Sequence, residues 1–165
     1  MADADETAAL DLNAMVRDVL DQIRYIVLGT IDDDGRPRVS PVYFTAHRYA
    51  DLYWVSHPGT HHSINLARDN RATGVVYDST VAPADTRAVY VAGHAREVPA
   101  DELAEHCPVA FNPSRGGRAF APQELTGTAD LRLWVLHVDS WEVHIGAGHP
   151  TLGTGRDRRV PADPR

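Results

Sequence analysis

The residues best suited to chemistry lie together in the stretch 51–65, DLYWVSHPGTHHSIN. Hydroxyl and imidazole groups are concentrated there, and both can donate hydrogen bonds to an anion. The simplest such anion is a phosphate group. The candidate binding residues are Ser56, Thr60, His61, His62 and Ser63.

The elements that would position these side chains are a strand, a tight loop and a helix. Residues 52–55 are aromatic and β-branched and predict a strand, which the Pro-Gly pair at 58–59 ends. Thr60 is a predicted N-cap, and Ile64 and Leu66 supply apolar positions of a short helix. Because the free N–H groups and dipole of a helix N-terminus favour negative charge, this arrangement predicts an anion site.

Each of these residues also has a purely structural interpretation. Thr60 can serve as a helix cap alone, and neighbouring histidines on a loop are often only solvated. Zinc is the sharper alternative, because His57, His61 and His62 lie close together. No carboxylate or cysteine joins them in a recognised ligand spacing, so we predict no metal site.

Composition indicates one globular domain. The chain has 165 residues, of which 43% are hydrophobic and 24% charged. Its net charge of −7 argues against a nucleic-acid or anionic-membrane partner. One cysteine, Cys107, allows no internal disulfide, and its position before Pro108 argues against a catalytic thiol. With no signal peptide and no apolar run approaching about 18 residues, the predicted location is the cytoplasm.

The remaining chain is rich in short strands. We predict a single domain over 1–165, frayed at 1–10 and ending in a Gly- and Arg-rich tail at 146–165. Hairpin-length turns between strands favour a small antiparallel barrel over a parallel sheet. The predicted strands are 25–31 (buried on both faces), 38–45, 52–55, 72–78, 88–98 and 131–138, the last extended or restarted at 141–145; the predicted helices are 12–23, 61–67 and 101–109.

Two further features of the pattern affect the site. Pro41 cannot donate to a strand ladder, so it marks an edge, a bulge or a ligand. Residues 112–128 are the least regular region and are interpreted as a lid or a dimer contact.

Three runs resemble one known family when taken in order: GTIDDDGRPRVSPV at 29–42, LYWVS at 52–56 followed by HHSINLARDNRA at 61–72, and VYVAGHAREV at 89–98. They are similar to the pyridoxamine 5′-phosphate oxidase-like FMN-binding split-barrel superfamily. The resemblance is good over 15–98 and weaker in the C-terminal third. It implies a mainly-β, six- to seven-stranded antiparallel split β-barrel with two or three short helices. It also implies a homodimer with FMN at the subunit interface.

The resemblance further implies a cofactor site. In relatives the strand equivalent to 39–42 lies along the flavin ring, and the strand end equivalent to 55–56 contacts the ring edge and the ribityl phosphate. The residues so implied are Val39, Ser40, Pro41, Val42, Val55 and Ser56.

The expected phosphate contacts depart from the family pattern. Oxidase relatives place Arg-Lys on the phosphate, where this sequence has His61 and His62. Because an imidazole carries only part of a charge at pH 7, Thr60, Ser63 and helix N–H groups would have to compensate. Weaker, pH-dependent phosphate binding follows, and deazaflavin or haem becomes an alternative cofactor.

The C-terminal third supplies looser matches. Trp141 or His144 would take the place of the family's aromatic residue, and Asp157-Arg158 that of its Asp-Arg pair. Arg158 would then lie near the flavin of the neighbouring subunit. The alternatives are barrel packing for Trp141 and a solvated tail for the arginine.

The expected function is that of an FMN-dependent oxidoreductase acting on a small-molecule substrate. No catalytic side chain is assigned, because a flavin carries the hydride or electrons itself. The alternatives are a non-catalytic flavin- or haem-binding protein, such as a stress-response protein, and a deazaflavin-dependent reductase of the same fold.

Overall fold

The computed structural model describes residues 11–115 and 117–165, so the predicted fraying of 1–10 lies outside the described residues. The helices are α1 (Leu12–Gln22), α2 (His61–Arg68) and α3 (Leu103–Ala110). The strands are β1 (Tyr25–Ile31), β2 (Pro37–Tyr43), β3 (Thr45–His47), β4 (Asp51–Ser56), β5 (Arg71–Tyr77), β6 (Ala88–Glu97), β7 (Arg132–Ile145) and β8 (Arg158–Ala162). Short 3₁₀ turns lie at Pro83–Asp85, Pro113–Arg115 and Pro122–Leu125.

All strands of the described chain belong to one antiparallel sheet with the order β2-β1-β5-β6-β7-β4-β3, and β8 pairs with β7. The long strand β7 is the hub: residues 132–137 pair with β4, and residues 141–145 pair with β8. The mainly-β antiparallel split-barrel class is therefore confirmed. The sheet has eight strands because the three-residue β3 and the tail strand β8 add to the predicted set.

The core lies on the two faces of this sheet. One cluster surrounds α1, whose Val16, Val19 and Leu20 are buried at the predicted helical spacing. Within it Trp54 and Trp134 stack across β4 and β7 with an interplanar angle of 10°, and neither indole N–H has an acceptor in the described chain. A second cluster forms where α3 covers the opposite face of β4 and β7.

The prediction that β1 is buried on both faces is wrong. Its side chains alternate, with Ile26, Leu28 and Thr30 buried. On the other face Tyr25 is 58% and Ile31 42% exposed. No layer of the described chain covers that outer face, so only one of the two faces of the strand is buried within one subunit.

The predicted start of the third helix is also wrong. Helix α3 begins at Leu103, because Pro99 begins a turn in which the Glu102 N–H donates to the Pro99 carbonyl at 3.0 Å. It then continues past Pro108 to Ala110.

The C-terminal tail is ordered by its own subunit. Strand β8 pairs with β7, with Arg158 opposite Ile145. The Asp163 N–H donates to Asn13 Oδ1 at 2.8 Å, which fixes the tail to α1. Strand β7 and helix α1 thus supply the partners of the C-terminal end of the tail. None of the helices in the described residues is both long and apolar enough to cross a membrane.

Candidate functional site

A cleft of about 710 Å³ opens between β2, β4 and the described residues of the segment 110–131. Its walls are largely aromatic and aliphatic, and include Tyr25, Tyr43, Val55, Phe111 and Phe120. A cleft of this volume is in the range of ordinary small-molecule sites. No carboxylate is among the described residues that line it.

One end of the cleft carries a cluster of polar groups from β4 and α2. Ser56 Oγ lies 2.9 Å from His62 Nε2 and 3.1 Å from Thr60 Oγ1. Ser56 and His62 are buried and line the cleft. Ser63 is buried behind them, with its Oγ 2.9 Å from Thr60 Oγ1. The predicted convergence of Ser56, Thr60, His62 and Ser63 is thus seen in the structure.

The two adjacent histidines differ in placement. His62 points inward, and burial lowers its pKa, with a further small effect from His61. It is therefore neutral near pH 7 and supplies a hydrogen bond rather than a charge. His61 is exposed and does not line the cleft, so only one of the pair reaches the site.

Helix α2 directs an uncapped N-terminus at this cluster. Thr60 occupies the N-cap position, but its side chain makes no capping hydrogen bond. Its hydroxyl instead lies 3.0 Å from the His57 carbonyl oxygen. The first-turn N–H groups have no acceptor within the helix and therefore remain suited to an external anion.

The His57 imidazole takes no part in the cluster, because its Nδ1 accepts the Gly59 N–H at 2.9 Å. Within residues 11–115 and 117–165, no three His, Cys, Asp or Glu residues come together in a way that could hold a metal ion.

The orientation of α2 is fixed by a polar network at its far side. Asn65 is buried and donates to Thr30 Oγ1 at 3.1 Å and to Asp32 Oδ1 at 2.8 Å. Arg38 Nε donates to the same carboxylate at 2.8 Å. The hydrogen bond from Arg38, and then that from Asn65, holds the pKa of Asp32 far below its usual value. Helix α2 is thereby tied to the β1–β2 hairpin.

Strand β2 forms one wall of the cleft. It is the edge strand of the sheet, which explains how Pro41 is accommodated without a neighbour on that side. Pro41 and Val42 line the cleft, whereas Val39 and Ser40 do not. Val39 is 69% exposed on the outer face of the sheet.

The opposite wall, residues 110–131, is assembled by contacts that the sequence pattern did not indicate. Thr45 Oγ1 donates to the Ala110 carbonyl at 2.5 Å, and Tyr43 OH donates to the Arg115 carbonyl at 3.2 Å. The Arg115 guanidinium donates to the carbonyls of Leu20 and Ile23, each at 2.7 Å, at the end of α1. These bonds tie the described residues of this wall to α1, and the role of 112–128 as a lid or a dimer contact stays a prediction.

The three C-terminal candidates lie away from the cleft of their own chain. Trp141 is 1% exposed, and its indole N–H donates to the Tyr49 carbonyl at 2.9 Å, so this residue packs in the core, as in the alternative interpretation. His144 is partly exposed on β7, opposite Arg159 of β8. Arg158 is exposed, and its approach to a neighbouring subunit remains a prediction.

The described residues thus form an antiparallel split barrel with an apolar cleft that ends in hydroxyl and imidazole groups. The sequence profile described as "Pyridoxamine 5′-phosphate oxidase" matches residues 12–145. The chain belongs to this family. No match was found among the curated proteins.

Solved structures share the fold at low sequence identity. A heme binding protein from Mycobacterium smegmatis aligns with a TM-score of 0.66 and 20% identity over 93% of this chain and 59% of that one. The chain therefore spans less than two thirds of that protein. HutZ, the heme storage protein from Vibrio cholerae, aligns with a TM-score of 0.55 and 18% identity over 79% of this chain and 92% of that one. An F420 reductase aligns with a TM-score of 0.55 and 20% identity over 76% and 94%.

Proposed function

We propose that this protein binds FMN in the cleft and acts as an FMN-dependent oxidoreductase on a small molecule. The observation that carries the proposal is the uncapped N-terminus of α2. It faces Ser56, Thr60 and His62 at the end of a cleft with aromatic walls. The phosphate of FMN would bind at this helix N-terminus, and its planar ring would lie between the apolar walls.

The residues present fit both parts of FMN, the phosphate and the ring. Ser56, Thr60 and His62, with the first-turn N–H groups of α2, would hold the phosphate. Val42 and Val55 would contact the ring, together with Phe111 of the opposite wall. When bound, the flavin supplies the hydride or electron transfer, while the protein supplies position and hydrogen bonds. The chain therefore needs no acid–base pair of its own in the cleft.

Family relatives also leave deazaflavin and haem as possible cofactors. Haem iron requires an axial ligand. The one histidine among the described lining residues is His62, whose Nε2 already contacts Ser56 and Thr60. Ligation of haem iron by His62 would break these contacts, so the phenols of Tyr25, Tyr43 and Tyr53 are the other candidate haem ligands of the lining.

The test begins with a visible spectrum of the purified protein and a titration with FMN. Flavin bands and saturable binding support the proposal, whereas a Soret band identifies haem and overturns it. Anaerobic addition of reduced nicotinamide then separates an enzyme from a carrier, because only an enzyme that accepts this donor bleaches the flavin bands. If neither reduced nicotinamide nor other small-molecule donors bleach the bound flavin, the protein is a non-catalytic binder.

The phosphate assignment has a matched pair of variants in adjacent positions. His62→Ala removes one hydrogen bond to a charged group, worth about 1.5–3 kcal/mol, so FMN affinity is expected to fall about 10- to 100-fold. His61→Ala, on the exposed side of the same helix, is expected to leave the affinity unchanged. Equal effects of the two substitutions in calorimetric titrations would contradict the assignment.

We further propose a homodimer with the flavin sites at its interface. The outer face of β1 and β2 exposes Tyr25, Ile31 and Val39, and Tyr25 also lines the cleft. A second copy is the commonest cover for such a patch. Light scattering is expected to give twice the chain mass. Val39→Glu should lower that mass, whereas Ile64→Glu, at an exposed position of α2, should not.

A further inference from the structure

The contact between Ser56 and His62 joins a hydroxyl to a base inside the cleft. Ser56 Oγ lies 2.9 Å from His62 Nε2, and both residues line the cleft. Ser56 ends β4 and His62 lies in the first turn of α2, so the short loop between these elements brings the two side chains together. A hydroxyl within about 2.6–3.2 Å of a base is the arrangement that activates a serine for attack on a carbonyl carbon.

His62 is able to act as the base at neutral pH. Burial lowers its pKa, so the imidazole is neutral there. In the tautomer that carries its proton on Nδ1, Nε2 is free to accept the Ser56 proton. The Thr60 hydroxyl, 3.2 Å from the same Nε2, also lies 3.0 Å from the His57 carbonyl oxygen, which only accepts. With the Thr60 proton held by that carbonyl, Ser56 is the hydroxyl that donates to His62.

The surroundings of Ser56 suit an acyl group. The first-turn N–H groups of α2 have no acceptor within the helix, and Thr60 does not cap them with its side chain. They are therefore donors for the negative oxygen that develops when a carbonyl group is attacked. The apolar walls of the cleft, which include Val42, Val55 and Phe111, offer contacts to the uncharged parts of such a substrate.

We propose that Ser56 and His62 form a nucleophile–base pair that hydrolyses small apolar esters in the cofactor-free protein. Ser56 Oγ bonds to the ester carbonyl carbon while its proton passes to His62 Nε2. The bond from that carbon to the leaving oxygen then breaks, and His62 gives the proton to the leaving alcohol. Water cleaves the acyl-serine by the same two steps and releases the carboxylic acid. No oxidant or reductant takes part, so this activity is separate from the proposed oxidoreductase function.

The pair lacks the third member of a triad. No carboxylate of the described chain is hydrogen-bonded to His62, whose ring contacts are with Ser56 and Thr60. In a complete Ser-His-Asp triad, loss of the function of the aspartate lowers kcat by about 10⁴. We therefore expect slow turnover that is limited to esters with a good leaving group, with the acyl-serine accumulating.

The test uses the cofactor-free full chain and p-nitrophenyl acetate. We expect a rapid release of about one equivalent of p-nitrophenol per chain, followed by slow turnover, which is the kinetic sign of an accumulating acyl-enzyme. Mass spectrometry of peptides from the acid-quenched wild-type protein is expected to find the acetyl group on Ser56. This measurement does not depend on whether any variant folds.

Two variants test the roles of the pair. Ser56→Ala is expected to abolish the burst, and His62→Gln to slow it at least about 100-fold, the usual contribution of a general base. The matched controls are Ser140→Ala and His61→Gln, at exposed positions that do not line the cleft, and both are expected to keep the wild-type burst. Absence of a burst, acetylation of another residue such as a surface histidine, or an unchanged burst in His62→Gln overturns the inference.

Addition of FMN distinguishes this inference from the proposed function. If Ser56 helps to hold the cofactor phosphate, FMN is expected to suppress the burst in proportion to its occupancy. A burst that persists in FMN-saturated protein refutes the phosphate assignment and leaves the esterase activity standing. A wild-type protein that binds FMN but is never acetylated on Ser56 refutes this inference and leaves the proposed function standing.

Discussion

Replacing Arg115 tests whether the wall of the cleft is a fixed part of the barrel. In Arg115→Met the aliphatic bulk stays, but the two 2.7 Å hydrogen bonds to the Leu20 and Ile23 carbonyls are lost. Stacking of its guanidinium 5.1 Å from the Phe44 ring centroid is lost with them. Hydrogen bonds to a charged group contribute about 1.5–3 kcal/mol each, a gross loss of about 3–6 kcal/mol.

Water recovers part of that loss, because the freed carbonyls lie at the end of α1 and Arg115 is only partly buried. We therefore expect a net loss of about 2–4 kcal/mol, a large fraction of the roughly 5–15 kcal/mol typical of a domain. For a chain of this length that corresponds to a fall in Tm of roughly 4–16 °C.

The matched control is Arg118→Met on the same segment. Its ion pair with Glu124 is solvent-exposed, with side-chain exposures of 63% and 42%, and exposed pairs contribute about 0–1 kcal/mol. Urea unfolding followed by circular dichroism gives both free energies, provided that the m values agree. If Arg115→Met costs no more than Arg118→Met, the segment is not anchored through Arg115, and a mobile lid becomes the better description.

Three further predictions concern the same framework. Asn65→Leu should lower the free energy of unfolding by about 1–3 kcal/mol, because it removes the buried amide that donates to Thr30 and Asp32, and urea unfolding measures this loss. The free energy of unfolding should fall as the pH drops from 8 to 5. The reason is that the pKa of His62 is lowered in the folded state, whereas in the unfolded chain this residue takes up a proton near pH 6.5. His62→Gln should therefore flatten this part of the plot of urea midpoint against pH. The lowered pKa of Asp32 gives a further contribution that is present above pH ~4 and lost only in strong acid. Truncation after Gly148 should lower Tm, because it removes β8 from β7; an unchanged melting curve would mean that β8 adds nothing to the barrel.

Local signals predicted much of this fold. The apolar spacing of α1 and the break at 58–59 each carry their information within a few residues. Gly35 in the β1–β2 turn is a further local signal, because it adopts a positive φ of 83° that a glycine permits. Thr60 was predicted to begin α2 and does so. That its hydroxyl would make no capping hydrogen bond could not be predicted, because this depends on His57 and Ser56 in the folded loop.

The remaining elements could not be predicted, because they depend on pairing between residues that are far apart in the sequence. Strand β8 contains Pro161 and no apolar alternation, so only β7 makes it a strand. The Arg115 bonds span 92 to 95 residues along the chain, a separation at which a sequence pattern carries no signal. The same limit applied to Trp141, where core and ligand-facing positions both favour an aromatic residue. Burial in the folded chain separates the two.

The stacked pair Trp54 and Trp134 gives this molecule an internal optical reporter. Trp54, Trp134 and Trp141 are the three tryptophans of the sequence, and each is at most 3% exposed. Their emission should therefore lie at short wavelength and shift to the red only when the barrel opens. Two nearly parallel indoles 6.3 Å apart also lie close enough for their electronic transitions to couple. Because Trp54 also borders the cleft, a yellow ligand bound there should quench this emission by energy transfer, so occupancy can be followed without any label.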